Sequence, residues 1–128
     1  MTSLERLAAG DQFGPLTLAI SRAANERYWS SAGVDHPVLR DGALYPPIAA
    51  NLTVLVTQTV VDHPLLQTAQ RVTSHRRADA DIELTINATV TERYEKRGRE
   101  YAVVTAEVTL PDGSALWTSL ATFCPAGT

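Results

Sequence analysis

The stretch that most constrains this chain begins after Pro46-Pro47. Ile48, Ala49, Ala50, Leu52, Val54, Leu55, Val56, Val60 and Val61 make it apolar almost all round. Its length suits a helix and its β-branched residues suit a strand. The proline pair decides for helix over Ile48 to Val61, because Pro47 needs no amide hydrogen at a first helical position. A helix apolar on every side has to be buried on every side. The rest of the chain must then supply a wrapping layer.

The second half has the pattern of that layer. Ile82, Leu84, Ile86, Ala88 and Val90 alternate with Glu83, Thr85, Asn87, Thr89 and Thr91, as a half-buried antiparallel strand requires. Lys96-Arg97-Gly98-Arg99 reverses the chain, and Ala102, Val104, Ala106, Val108 and Leu110 form the inward face of the next strand. Pro111-Asp112-Gly113-Ser114 is a second hairpin signal before a strand over Ala115 to Cys124. Leu66 to Arg77 reads as a strand with weaker alternation. In the first half, Gly14-Pro15 reads as a turn before a strand over Leu16 to Ile20. Ser21 stands at a helix N-cap and Gly33 at its stop, with Ala24, Tyr28 and Ala32 on one face and Trp29 beside it. Val34 to Pro46, dense in Pro and Asp-Gly, reads as an ordered loop with no element. Strand, helix, loop, buried helix and four antiparallel strands predict an α+β fold: a twisted sheet wrapped around one long helix, the hotdog arrangement.

Composition narrows the function. A chain of 128 residues, 45% hydrophobic and 20% charged, has the size and make-up of a single globular domain over 1–128. A net charge of -3 and a pI near 5.5 argue against nucleic acid or an anionic membrane as partner. No apolar run is long enough to span a bilayer, and Met1 to Gly10 lacks the apolar core of a signal peptide, so a cytoplasmic protein is expected. Cys124 has no second cysteine to pair with and reads as an apolar filler. Neither a metal-ligand spacing nor a Gly-rich phosphate loop occurs, so no cofactor is expected.

Three segments carry a resemblance to a known family: Arg27-Tyr28-Trp29-Ser30-Ser31-Ala32-Gly33-Val34-Asp35-His36-Pro37-Val38-Leu39; Tyr45-Pro46-Pro47-Ile48-Ala49-Ala50-Asn51-Leu52; and His75-Arg76-Arg77-Ala78-Asp79-Ala80-Asp81 followed by Glu95-Lys96-Arg97-Gly98-Arg99. In this order the chain resembles the MaoC-like branch of the hotdog superfamily, the (R)-specific enoyl-thioester hydratases and dehydratases. The resemblance implies a G-D-x-N-P-x-H pattern between the two helices, whose Asp and His hold the water added to, or lost from, an acyl thioester. Removing an α-proton and expelling hydroxide both need a positioned base and acid. It also implies a thioester carbonyl polarised by a backbone amide where the central helix begins. Aligning Gly33 and Pro37 with the motif puts Val34 at the Asp position, His36 at the Asn and Leu39 at the His. Valine and leucine carry no transferable proton.

The polar groups nearby are the remaining candidates. Asp35 and His36 form either a displaced acid–base pair or a turn residue and a solvated ring before Pro37. Asn51 is a substrate or water ligand, or a buried amide bonded to a strand. Tyr45 donates from the loop or covers the helix end, and Arg40 pairs with an anionic group or stays solvated. Ala50 and Asn51 mark the helix start that would hold the thioester. His63 sits at the far helix end. The basic cluster His75-Arg76-Arg77 is the best candidate to meet a phosphate, or else a solvated strand end. These residues predict a dehydratase- or hydratase-type lyase, or a related cyclase, with Asp35 and His36 catalytic and Tyr45, Ala50, Asn51 and Arg40 binding substrate. The substrate would be an acyl thioester on coenzyme A or acyl carrier protein, or a polyketide-like molecule, and the working form a homodimer or a heterodimer of hotdog chains. The alternative is a non-catalytic subunit that supplies an acyl channel to a catalytic hotdog partner. A thioesterase would need a carboxylate on the central helix, and that helix has none. A cone-shaped α+β cyclase fold ranks second, because a strand precedes the first helix here.

Overall fold

The structure is a computed structural model that describes residues 3–125. After a 3-10 turn at Leu4–Arg6 come β1 (Gln12–Ala19), α1 (Arg22–Ser31), α2 (Pro37–Arg40), α3 (Ile48–Gln58), β2 (Leu65–Ser74), β3 (Glu83–Lys96), β4 (Arg99–Thr109) and β5 (Ala115–Pro125). The strands form one antiparallel sheet in the order β1-β3-β4-β5-β2. Helix α3 touches all five strands, so the sheet wraps it as expected.

Alternation sets the sheet's inner face. Leu84, Ile86, Ala88 and Val90 on β3 and Ala102, Val104, Ala106 and Val108 on β4 are all buried, and every second residue between them is not. Ile48, Ala49, Leu52 and Val56 of α3 join them in one core cluster, together with Leu116, Trp117 and Phe123 of the neighbouring strand β5. Cys124 is buried and unpaired. The β3–β4 turn falls on Arg97 and Gly98, both at positive φ, which matches the right-handed twist of a tight hairpin.

Four local expectations need correction. Strand β1 begins at Gln12, and Gly14-Pro15 lies inside it, where the pairing with β3 shifts register between Phe13 and Leu16. An edge strand tolerates proline at a bulge because no inner ladder bond is lost. Gly14 has φ +102, and a Cβ on it would meet the Ile86 carbonyl oxygen at 2.7 Å, so only glycine fits. On α1 the buried residues are Asn25 and Trp29, not Ala24, Tyr28 and Ala32. The loop before α3 contains a one-turn helix, α2, started by Pro37 at its first position. Lastly, α3 stops at Gln58 and is not buried all round.

That last point rests on exchanged roles. Asn51 and Leu55, one turn apart, face outward, and Leu55 is 49% exposed. Thr53 and Thr57 are fully buried instead. Thr53 Oγ1 lies 2.9 Å from both the Ala49 carbonyl and Ser119 Oγ, and Thr57 donates to the Thr53 carbonyl. A threonine that bonds back to its own helix hides its polarity and packs like valine.

Candidate functional site

Between α1 and α3 the chain forms an overhang, residues 33–47, and its position is set by a few polar bonds. Buried Asn25 donates from Nδ2 to the Ala43 carbonyl (2.8 Å) and accepts at Oδ1 from the Tyr45 amide (2.9 Å). Arg22 donates to the Arg40 carbonyl at 2.8 Å. Two further backbone bonds, Leu44 N–H to Ala78 O and Ala80 N–H to Gly42 O, tie the overhang to the segment that follows β2. The Ser21 hydroxyl caps α1 by accepting from Ala24 N–H, as the sequence predicts.

The overhang and the end of β2 enclose a cleft of about 420 Å³. Its apolar wall is Val34, Val38, Leu39, Leu44, Tyr45 and Pro46, and its polar lip is His36, Ser74, Arg76 and Arg77. Thus Val34 and Leu39, the residues aligned with a proton-transferring pair, both line it. Among the described residues no carboxylate does.

His36 is the N-cap of α2. Its Nδ1 accepts from the Val38 amide at 3.2 Å, so the neutral ring carries its proton on Nε2. Asp35 points elsewhere: its carboxylate pairs with Arg40 Nε at 2.9 Å, with both side chains more than half exposed. Such a pair contributes only about 0–1 kcal/mol, so it orders the outside of the overhang weakly. Asp35 and His36 therefore diverge, as neighbours on extended backbone do.

The α3 residues lie apart from the cleft. Asn51 is exposed and donates from Nδ2 to Tyr28 Oη at 3.1 Å. Ala50 is buried. The amides of Ile48, Ala49 and Ala50 donate to the carbonyls of Tyr45, Pro46 and Pro47, so the opening turn of α3 already uses the N–H groups expected to polarise a thioester.

Of the six residues picked from the sequence, the cleft gathers His36 and Tyr45, while Asp35, Arg40, Ala50 and Asn51 lie outside it. Within the basic cluster, Arg76 and Arg77 reach the lip, but His75 turns to the sheet's outer side and meets Thr118 Oγ1 at 2.7 Å. Far from the cleft, His63 Nε2 accepts from Leu4 N–H at 2.9 Å and pins the 3-10 turn. Asn25 and Val38 were missed by sequence reasoning. For Asn25 a signal existed: it stands four residues before Trp29, and that spacing puts both on one helix face.

No family model and no curated protein matches the sequence. Solved structures do resemble the fold. A MaoC-like dehydratase from Rhodospirillum rubrum aligns over 98% of this chain and 97% of its own at TM-score 0.70 and 17% identity. The (R)-hydratase PhaJ1 from Pseudomonas aeruginosa aligns over 97% and 85% at TM-score 0.77 and 15% identity. The HadBC (3R-hydroxyacyl-ACP dehydratase) complex from Mycobacterium tuberculosis aligns over 91% and 96% at TM-score 0.68 and 19% identity. At such identities the likeness shows the fold, and the fold is the hotdog. Its structural neighbours include MaoC-like dehydratases and (R)-hydratases. Among the described residues no helix is long and apolar enough to cross a membrane.

Proposed function

We propose that this chain works as a dehydratase/hydratase-type hotdog protein on an acyl thioester or polyketide-like substrate, and that it supplies the acyl channel while a second hotdog chain supplies the proton-transferring groups. The observation that carries this is the apolar character of the cleft at Val34 and Leu39. Hydration and dehydration both need one group that accepts a proton and one that gives it. In the cleft His36 offers only Nε2–H, because Nδ1 is spent on the Val38 amide. It is a hydrogen-bond donor and supplies no base. A partner chain fits the architecture: β2 is an edge strand, most of its residues are exposed, and Arg71 is its sole charge. Such an edge is open to pairing with another sheet. HadBC is a dehydratase complex, which supports a paired arrangement here. A coenzyme A or acyl carrier protein thioester in the cytoplasm fits this reading.

A second reading keeps the activity within this chain: a lyase or cyclase that uses His36 with Asp35, helped by Tyr45, Arg40 and Asn51. The placement of His36 and Tyr45 on one cleft favours it. It requires Asp35 to leave Arg40 and turn inward.

One assay separates the two. The purified chain is given crotonyl-coenzyme A and a longer enoyl thioester, and loss of the enoyl absorbance is followed. The expected result is no turnover by the wild type and measurable turnover by the double variant Val34→Asp, Leu39→His. Turnover by the wild type that His36→Gln abolishes overturns the subunit reading and establishes the second.

A further inference from the structure

We infer that the cleft under the overhang binds an apolar-tailed monocarboxylate as the free acid, its carboxylate held by Arg76 and its chain laid along Val34, Val38 and Leu39. This goes beyond the thioester reading and does not depend on it, since it rests on the guanidinium at the lip and needs no proton-transferring group in the cleft.

A count of charges leads to it. The lip has two guanidinium groups. Arg77 is already matched by Asp79, with N and O 3.3 Å apart. Arg76 makes no ion pair among the described residues. Its Nε donates to the Ala115 carbonyl at 3.0 Å, which anchors the group and leaves the two terminal nitrogens as a parallel pair of donors. Parallel N–H groups match the two oxygens of a carboxylate. Asp112, whose carboxylate is hydrogen-bonded by Ser114, lies outside the cleft lining and makes no ion pair with Arg76. The remaining polar lining adds a further donor, His36 Nε2–H, and no acidic group. One cation without an ion-pair partner among the described residues suits a monoanion, and a dianionic phosphate would keep charge to spare.

The tail has its own support. Val38 is 37% exposed, in a cleft whose wall is otherwise apolar. Covering apolar surface is favourable at about 25 cal/mol per Å². A site with charge at its lip and hydrocarbon along its wall selects amphipathic anions.

The test is a calorimetric titration of the full chain with decanoate, decanamide and decyl phosphate, below their micelle concentrations, in low and moderate salt. Decanoate is expected to bind at least tenfold more tightly than decanamide, and to weaken tenfold or more with Arg76→Gln. Because Arg76 also bonds the β5 backbone, a second variant, Val38→Asp, places a negative charge on the exposed wall and leaves that bond intact. It is expected to weaken decanoate more than decanamide. Equal binding of decanoate and decanamide, unchanged affinity in Arg76→Gln, or absence of decanoate binding each overturns the inference. Tighter binding of decyl phosphate than decanoate overturns the carboxylate assignment. The enoyl-thioester assay is a separate readout, so either proposal can fail alone.

Discussion

The sheet and the overhang are held by different forces. The inner face of β3 and β4 is apolar at every second position, and those eight side chains are no more than 3% exposed. Each has many neighbours, so the loss of one contact is shared among the rest. The overhang buries little beyond Ala43 and Leu44 and depends on named bonds: both ends of Asn25, the Arg22 guanidinium, and the bonds of Leu44 and Gly42 to the Ala78–Ala80 segment. Burial is non-directional and additive over area, whereas a buried hydrogen bond has one geometry. A cleft built on the second kind of support can change its lining, as at Val34 and Leu39, without touching the fold.

The contrast can be broken by substitution. The largest effect is expected for Phe123→Ala in the core, a loss of about 3–5 kcal/mol measured by chemical denaturation, with the whole sheet weakened together. Asn25→Leu comes next. It strands the Ala43 carbonyl and the Tyr45 amide, and a cost of about 2–4 kcal/mol follows from two buried groups left unpaired. Here hydrogen exchange is the sharper readout. The amides of Leu44 and Tyr45 are expected to exchange faster by a larger factor than those of β4. If β4 speeds up by the same factor, the overhang is not a separately supported unit and the contrast fails.

Gly42→Ala is a milder probe of the same segment. Gly42 sits at φ +100, and an added Cβ would lie 3.2 Å from an Arg22 guanidinium nitrogen. The backbone strain alone is worth about 1–3 kcal/mol, and the flexible arginine absorbs the contact by moving. The cleft is expected to bind decanoate more weakly in this variant, while the unfolding cooperativity stays that of the wild type.

How far the sequence could be read follows the same division. The sheet was legible because a strand with one buried face must alternate, and both hairpin turns were written in Arg97-Gly98 and Pro111 to Ser114. The existence of α3 was legible from its proline start, but its orientation was not. Thr53, Thr57 and Ser119 are polar by composition and hidden by their bonds, while apolar Leu55 is left half in water. The overhang was least legible. His36 is an uncommon cap, so α2 went unseen despite Pro37 at its first position, and the two bonds of Asn25 span 18 and 20 residues with no local trace. Period reads burial well; it has no purchase on a polar bond between distant segments.

The smallest expected effect lies at the β4–β5 turn, where a charged side chain closes the hairpin by polar bonds. Asp112 Oδ1 accepts from the Ser114 hydroxyl at 2.6 Å and from the Ser114 amide at 2.9 Å. These bonds, the hydroxyl's first, favour the carboxylate and hold Asp112 below its ordinary value of 3.8, with the Arg76 charge helping. A carboxyl with a lowered folded pKa contributes stability that is present above its ordinary value and is lost as pH falls through the lowered one. The difference in unfolding midpoint between wild type and Asp112→Ala is therefore expected to be constant from neutral pH to about pH 5, within the usual range where such groups stay ionised, and to shrink below it. A difference that grows on acidification would mean that the turn prefers the protonated acid. Because the side chain is fully exposed, the shift is expected to stay below that of any overhang variant, and a shift as large as that of Gly42→Ala would place the turn with the overhang in its dependence on single bonds.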